Sequence, residues 1–407
     1  MWRASAMAAL ALAAGVAVSC GGGGGGSNNN GGGDGSPVAN TVPVVSNLGI
    51  NNDYADGVFT SVTVCAPGTS NCQTIDNVLV DTGSYGLRLL GSQVNLPLQV
   101  SKDANGDPLA ECLQLSSSFS WGPVATADVQ LAGETASNVP VQLLGQSGFA
   151  APPGSCSNTG VPEADSQATL DANGILGIGV FRYDCGDGCT PPQSSIPPIY
   201  YGCPSSGCSP VLVSLSQEVQ NPVALFAQDN NGVVLTFPQV PSLGALSVNG
   251  TLTFGIGTQS DNSLGSATVL AADNTGSFNT SFNSTTYSGS ILDSGSNAVY
   301  FLDDTTLNIP LCASPNDGFY CPTSTVSYSA TNTGASGTAS AAAQWQVANA
   351  LTLFNTGNAA FSNLGGPNPG SFDFGLAFFY GRSVFIGING TSASNNGTTV
   401  SGPFYAY

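Results

Sequence analysis

The sequence predicts an all-β protein built as two related lobes, and three observations carry that expectation. Short apolar or alternating runs recur from about Val38 onward: Val62-Thr63-Val64, Val78-Leu79-Val80, Val129-Gln130-Leu131, Val141-Gln142-Leu143 and Val233-Val234-Leu235. A period of two, or a short unbroken apolar run, suits strands rather than helices. Asn-Gly pairs at 105–106, 173–174, 231–232 and 249–250 supply residues that tolerate positive φ, and they read as hairpin turns. A coarse twofold repeat completes the argument. "LVDTGS" around Asp81 and "ILDSGS" around Asp293 sit in separate halves. Each is followed much later by an apolar–glycine strand end, at Gly174-Ile175-Leu176-Gly177 and Phe372-Asp373-Phe374-Gly375. Helical period is scarce; its clearest candidate, 214–220, would stop at Pro222.

The N-terminus gives an address. Arg3, the apolar stretch Ala6 to Val18 and the closing Ala17-Val18-Ser19-Cys20 read as a secretory signal over residues 1–19, too short to span a membrane comfortably. The closing residues resemble a bacterial lipobox, which would make Cys20 the lipidated mature N-terminus. Gly21 after it resembles a sorting signal for the outer membrane; secretion or a periplasmic location is the alternative. Residues 20–40, dominated by Gly, Asn and Ser, read as a flexible tether. The first lobe is expected over 41–235 and the second over 236–407.

Composition removes several function classes. The 407-residue chain carries 24 acidic and 5 basic residues, a formal charge of −19, and no histidine. Without a basic patch, nucleic acid is not an expected partner. Without histidine, Ser-His-Asp and Cys-His catalysis and histidine-ligated zinc are excluded as usually built. Acid–base chemistry must rest mainly on carboxylates. Setting Cys20 aside, ten of the 11 cysteines remain, an even number in an exported chain. Proximity suggests Cys65–Cys72, Cys185–Cys189, Cys203–Cys208 and Cys312–Cys321, leaving Cys112 with Cys156. A metal cluster at Cys185 and Cys189 is the weaker reading.

The two acidic words carry the candidate chemistry. Gly83 and Gly295 lack a Cβ and so let the two loops approach. Thr82 and Ser294 can hydrogen-bond across the lobe interface, while Ser84 and Ser296 can each orient the preceding aspartate. Two carboxyls that close cannot both ionise, so one stays protonated while its partner acts as a base. "DANGD" at 103–107 faintly resembles a calcium loop but lacks the distal glutamate, and a hairpin turn accounts for it better.

With "NGILGIGV" from Asn173, "TADVQLAGETASNVPVQL" from Thr126, "GTLTFGIG" from Gly250 and "FDFGLAFFYGRSVFIGI" from Phe372, these words resemble the pepsin-like aspartic proteases, collinearly over most of the chain. Overall the chain looks most like a bacterial branch of pepsin-fold lipoproteins grouped as a domain of unknown function. The resemblance implies two β lobes related by a pseudo-twofold axis, with Asp81 and Asp293 as the catalytic pair at the base of an interlobe cleft. It also implies a monomer that cleaves polypeptide without metal or organic cofactor. The chain departs from the family in three places. No tyrosine occurs between Gly86 and Arg182, so Trp121 in "FSWGP" becomes the flap candidate. No basic prosegment is visible, and Leu376 stands where the family commonly has aspartate. Arg88 is expected in a solvated or ion-paired surface position. The alternative reading is an inactive pepsin-fold binding protein, holding a peptide or other envelope ligand, or a structural surface lipoprotein.

Overall fold

The computed structural model describes residues 39–395 and 397–407. The expected signal, Cys20 and nearly all of the expected tether lie outside them. Asn40, where that tether was to end, is already buried, and its amide donates to the Phe254 carbonyl at 3.1 Å. Strands dominate; among the described residues no α-helix exceeds five residues, and none is long and apolar enough to cross a membrane.

The first strand, Thr41–Asn47, joins the two halves. One edge pairs antiparallel with Gly57–Cys65 and the other with Val248–Phe254, from Thr41 opposite Thr253 to Ser46 opposite Val248. A single sheet therefore runs from the first half into the second, where Gly232–Thr236, Ser383–Gly387 and Phe404–Ala406 continue it. The lobe boundary expected at 235/236 falls inside the strand Gly232–Thr236. A second sheet of seven strands belongs wholly to the second half.

Each half repeats one arrangement around its acidic word. In the first, Cys72–Asp81 runs parallel to Gly174–Ile178, placing Asp81 opposite Gly177. Gly174–Ile178 also pairs antiparallel with Tyr85–Leu90, which follows the acidic loop. In the second, Thr285–Leu292 runs parallel to Asn368–Phe374, which pairs antiparallel with Val299–Leu302. Strands covered on both faces need apolar side chains at every position, and Gly174–Ile178 is buried throughout. Behind the second acidic loop, Phe282, Phe301, Trp345, Phe372 and Phe374 pack ring against ring.

Turn chemistry was only partly legible. Asn105-Gly106 does form a turn, closed by the Asp103 N–H donating to the Asp107 carbonyl at 2.9 Å. The pairs at 173–174, 231–232 and 249–250 do not. Gly174 and Gly232 open strands, and Gly250 lies inside one, where a Cβ would meet the Phe237 ring at 2.6 Å. At that site glycine serves close packing. A hairpin the pairs did not mark turns at Ala132-Gly133, both at positive φ, joining Phe119–Leu131 to Glu134–Leu144. The helix expected over 214–220 is one 3-10 turn, Leu215–Gln217, and Pro222 begins a second, Pro222–Leu225. Proline suits a first turn because its missing N–H would have no partner there.

The cysteines are joined as Cys65–Cys72, Cys112–Cys156, Cys185–Cys189, Cys203–Cys208 and Cys312–Cys321. Cys185 and Cys189 are thereby unavailable as thiolate ligands.

Candidate active site

Asp81 and Asp293 end apolar strands in different halves, and the fold brings their loops into contact. A Cβ built on Gly83 would lie 2.5 Å from Asp293 Cγ, and one on Gly295 would lie 2.6 Å from Asp81 Oδ1. Each glycine thus leaves the room occupied by the opposite carboxylate. Alanine at either position would force the loops apart. Gly83→Ala or Gly295→Ala is expected to cost about 1–3 kcal/mol in urea unfolding, the range for overpacking a tight site, and to suppress any cleavage activity.

Four hydrogen bonds lock the loops reciprocally. The Thr82 hydroxyl donates to the Leu292 carbonyl at 3.0 Å and accepts the Ser294 N–H at 2.9 Å. The Ser294 hydroxyl donates to the Val80 carbonyl at 2.7 Å and accepts the Thr82 N–H at 3.2 Å. Each hydroxyl therefore uses both its donor and an acceptor lone pair across the interface. Within each loop the carboxylate is held from two sides. Asp81 accepts from the Gly83 N–H at 2.8 Å and from the Ser84 hydroxyl at 2.5 Å. Asp293 accepts from the Gly295 N–H at 2.8 Å and from the Ser296 hydroxyl at 2.8 Å.

Burial raises both carboxyls above the ordinary range. For Asp293 the charges of Asp81 and Asp373 add to burial. For Asp81, hydrogen bonds from Ser84, Asp293 and the Gly83 N–H oppose it, as does the Arg88 charge. The two acids therefore hold protons to higher pH than isolated carboxyls do, and their titration belongs to the pair.

Three residues of the site were not found by the sequence reading. Tyr54, far upstream, donates its hydroxyl to the Gly295 carbonyl at 2.7 Å. Tyr85 follows Ser84 directly and remains partly exposed, as does Gly83. Burial, then the charges of Asp81 and Asp293, raise its phenol, which stays neutral and able to donate. Asp373, buried at 2% exposure, shares the Ser296 hydroxyl with Asp293. Only its position two residues before Gly375, where the first half has Ile175 before Gly177, could have marked it.

Trp121 is not a flap residue free to face a cleft. It is 3% exposed, its indole N–H donates to the Ala150 carbonyl at 2.7 Å, and its ring packs edge-on against Tyr201. Its strand pairs with Leu109–Gln114, which Cys112–Cys156 and the strand Tyr200–Gly202 hold down. A cavity of about 250 Å³ lies nearby, lined by Leu96, Leu98, Pro123, Leu143 and Phe149 among others, and neither aspartate borders it.

Arg88 departs from expectation in its burial. At 0% exposure it is not a surface residue, although it is ion-paired. Its guanidinium reaches Glu111 at 2.5 Å and Asp184 at 3.0 Å, and donates to the Tyr85 carbonyl at 2.6 Å. Tyr200 donates to Asp184 at 2.7 Å, and the Glu218 carboxylate accepts the Gly186 N–H at 2.7 Å. Burial and the Glu111 charge raise Asp184 well above its ordinary range, and burial lifts Glu218 to about 8.

Residues 36–407 match the family described as "Protein of unknown function (DUF3443)". The chain belongs to the DUF3443 family. No curated protein matches it. Among solved structures, the DUF3443 chain is similar to the crystal structure of the aspartic proteinase from Irpex lacteus, with a TM-score of 0.51 and 16% sequence identity. The match covers 90% of this chain and 96% of that one. At such identity the likeness shows fold alone, and this DUF3443 protein has the mostly β, two-lobed pepsin-like fold expected from its sequence.

Proposed function

We propose that this DUF3443 protein is an aspartic endopeptidase acting on extended polypeptide, with Asp81 and Asp293 as its catalytic pair. The observation that carries the reading is the reciprocal lock of Thr82 and Ser294, with each glycine set against the opposite carboxylate. A merely structural turn has no need of two acids brought together across a domain seam, since burying such groups is costly. The ionised member of the pair takes a proton from a bound water, whose oxygen attacks the peptide carbonyl carbon. The protonated member gives its proton to the carbonyl oxygen. The carboxyl that took the water's proton passes it to the departing nitrogen as the C–N bond breaks. The other carboxyl regains a proton from a hydroxyl of the collapsing tetrahedral species, which leaves the carboxylic acid product and a singly protonated pair. Ser84 and Ser296 keep the carboxylates oriented, and the neutral Tyr85 phenol is a donor at the site's partly exposed edge. The five disulfides fit an extracytoplasmic location. Within this proposal the chain is anchored by lipid on Cys20 in the bacterial outer membrane.

The test is cleavage of a denatured protein by the purified, unlipidated chain between about pH 3 and about pH 8, the range over which a carboxyl pair changes protonation. Fragments expected at acid or neutral pH support the reading; intact substrate at every pH overturns it. A second reading, a cleft-binding protein without turnover, is favoured by the burial of both aspartates at 0% exposure. Its expected result is retention of an unfolded peptide without cleavage.

A further inference from the structure

Ser296 has one hydroxyl hydrogen, yet its oxygen lies 2.8 Å from Asp293 Oδ2 and 2.6 Å from Asp373 Oδ2. It can donate to only one of them. The other contact requires a proton on a carboxyl. Asp373 is the better holder of that proton. Its Oδ1 is buried without a hydrogen-bond partner, so an ionised Asp373 would leave a charged oxygen uncompensated. Asp293 also accepts the Gly295 N–H. The arrangement that gives both short contacts a hydrogen and leaves Asp373 Oδ1 uncharged has Asp373 donating to Ser296 and Ser296 donating to Asp293.

We propose that Asp373 is the third acid of the site, a positioning residue that holds its own proton against Ser296 and, once it gives that proton up, keeps the Asp81/Asp293 pair protonated to higher pH. The proposal rests on the endopeptidase reading for its effect on rate, but its protonation can be measured without turnover. The groups facing Asp373 are acids or hydroxyls. Its parallel neighbour Thr285–Leu292 leads into Asp293, and Asp81 acts on it from the other half. Its antiparallel neighbour opposite is Tyr300, whose hydroxyl is engaged with Asn297, and Tyr405 senses its charge from the closing strand. Burial, opposed by Ser296 and reinforced by the Asp81 charge, sets Asp373 to about 8. As it ionises, its charge disfavours ionisation of Asp293, so the pair keeps its shared proton to higher pH. The first half has no such device, since Ile175 occupies the corresponding place.

Asp373→Asn keeps the shape and donates from an amide, and Asp373→Ile copies the first half. Both are expected to move the alkaline limb of kcat/KM downward by about one pH unit, with little change in the acid limb. Difference infrared spectra provide the second readout. Between about pH 6 and about pH 9 the parent should lose one more protonated-carboxyl carbonyl band than Asp373→Asn does. Equal band loss in parent and variant overturns the proposal whether or not the protein cleaves peptides. So does an unmoved or raised alkaline limb. If the parent has no activity but the extra band is present, the endopeptidase reading fails and Asp373 remains the proton holder.

Discussion

Asp81→Asn and Asp293→Asn are each expected to reduce peptide cleavage by about 10³-fold or more, since groups that act as a unit fail together when either is lost. Asparagine preserves the outline of the side chain and can still accept the N–H two residues on, from Gly83 or Gly295. It cannot take a proton from water or carry the shared one. Loss should therefore fall on kcat, with KM for a peptide little changed. The variants should also be at least as stable as the parent at neutral pH. Both carboxyls have raised pKa values in the folded chain. Their contribution to stability is therefore fully present below about pH 4 and is lost as pH rises through the folded values. An amide in their place removes that loss. Full activity in either variant would overturn the assignment of the pair, even with the fold intact.

Arg88→Met should produce the largest loss of stability, about 3–5 kcal/mol, the range for removing one partner from a buried ion pair. Methionine fills much of the volume but leaves Glu111 and Asp184 without their cation, with Glu218 close enough to add its charge. The Tyr85 carbonyl also loses its guanidinium donor, directly beside the catalytic loop. The loss should depend on pH in a stated direction. Asp184 and Glu218 already titrate above their usual range, Glu218 at about 8. Without Arg88 the charged form of Asp184 is less favoured still. The penalty is therefore smallest at acid pH, where Asp184 and Glu218 are neutral in both folded and unfolded chains, and it grows as pH rises toward 8. Urea unfolding at acid and at neutral pH measures both values; an equal loss at the two would argue against electrostatics as its cause.

The two lobes and the facing acids were legible because their signals are local and repeated. "LVDTGS" and "ILDSGS" each combine a strand end with a tight loop, and two copies in separate halves constrain each other. Residues whose role depends on distant chain were not legible. Arg88 reads as a surface cation until Glu111 and Asp184 are brought to it from other strands. Trp121 reads as the flap candidate until Tyr201 and the Ala150 carbonyl enclose it. Asn-Gly was a poor guide because glycine answers two needs, positive φ and the lack of a Cβ, and Gly250 answers only the second. Asp373 was hidden by its setting, a strand of phenylalanines that reads as core.

The strand Thr41–Asn47 has a mechanical consequence. Because its backbone is laddered to Gly57–Cys65 on one side and Val248–Phe254 on the other, the seam has no free hinge. Swinging one half away from the other would sever a row of main-chain bonds. Any admission of a bulky guest to the acids must come from displacement of loops above a rigid floor.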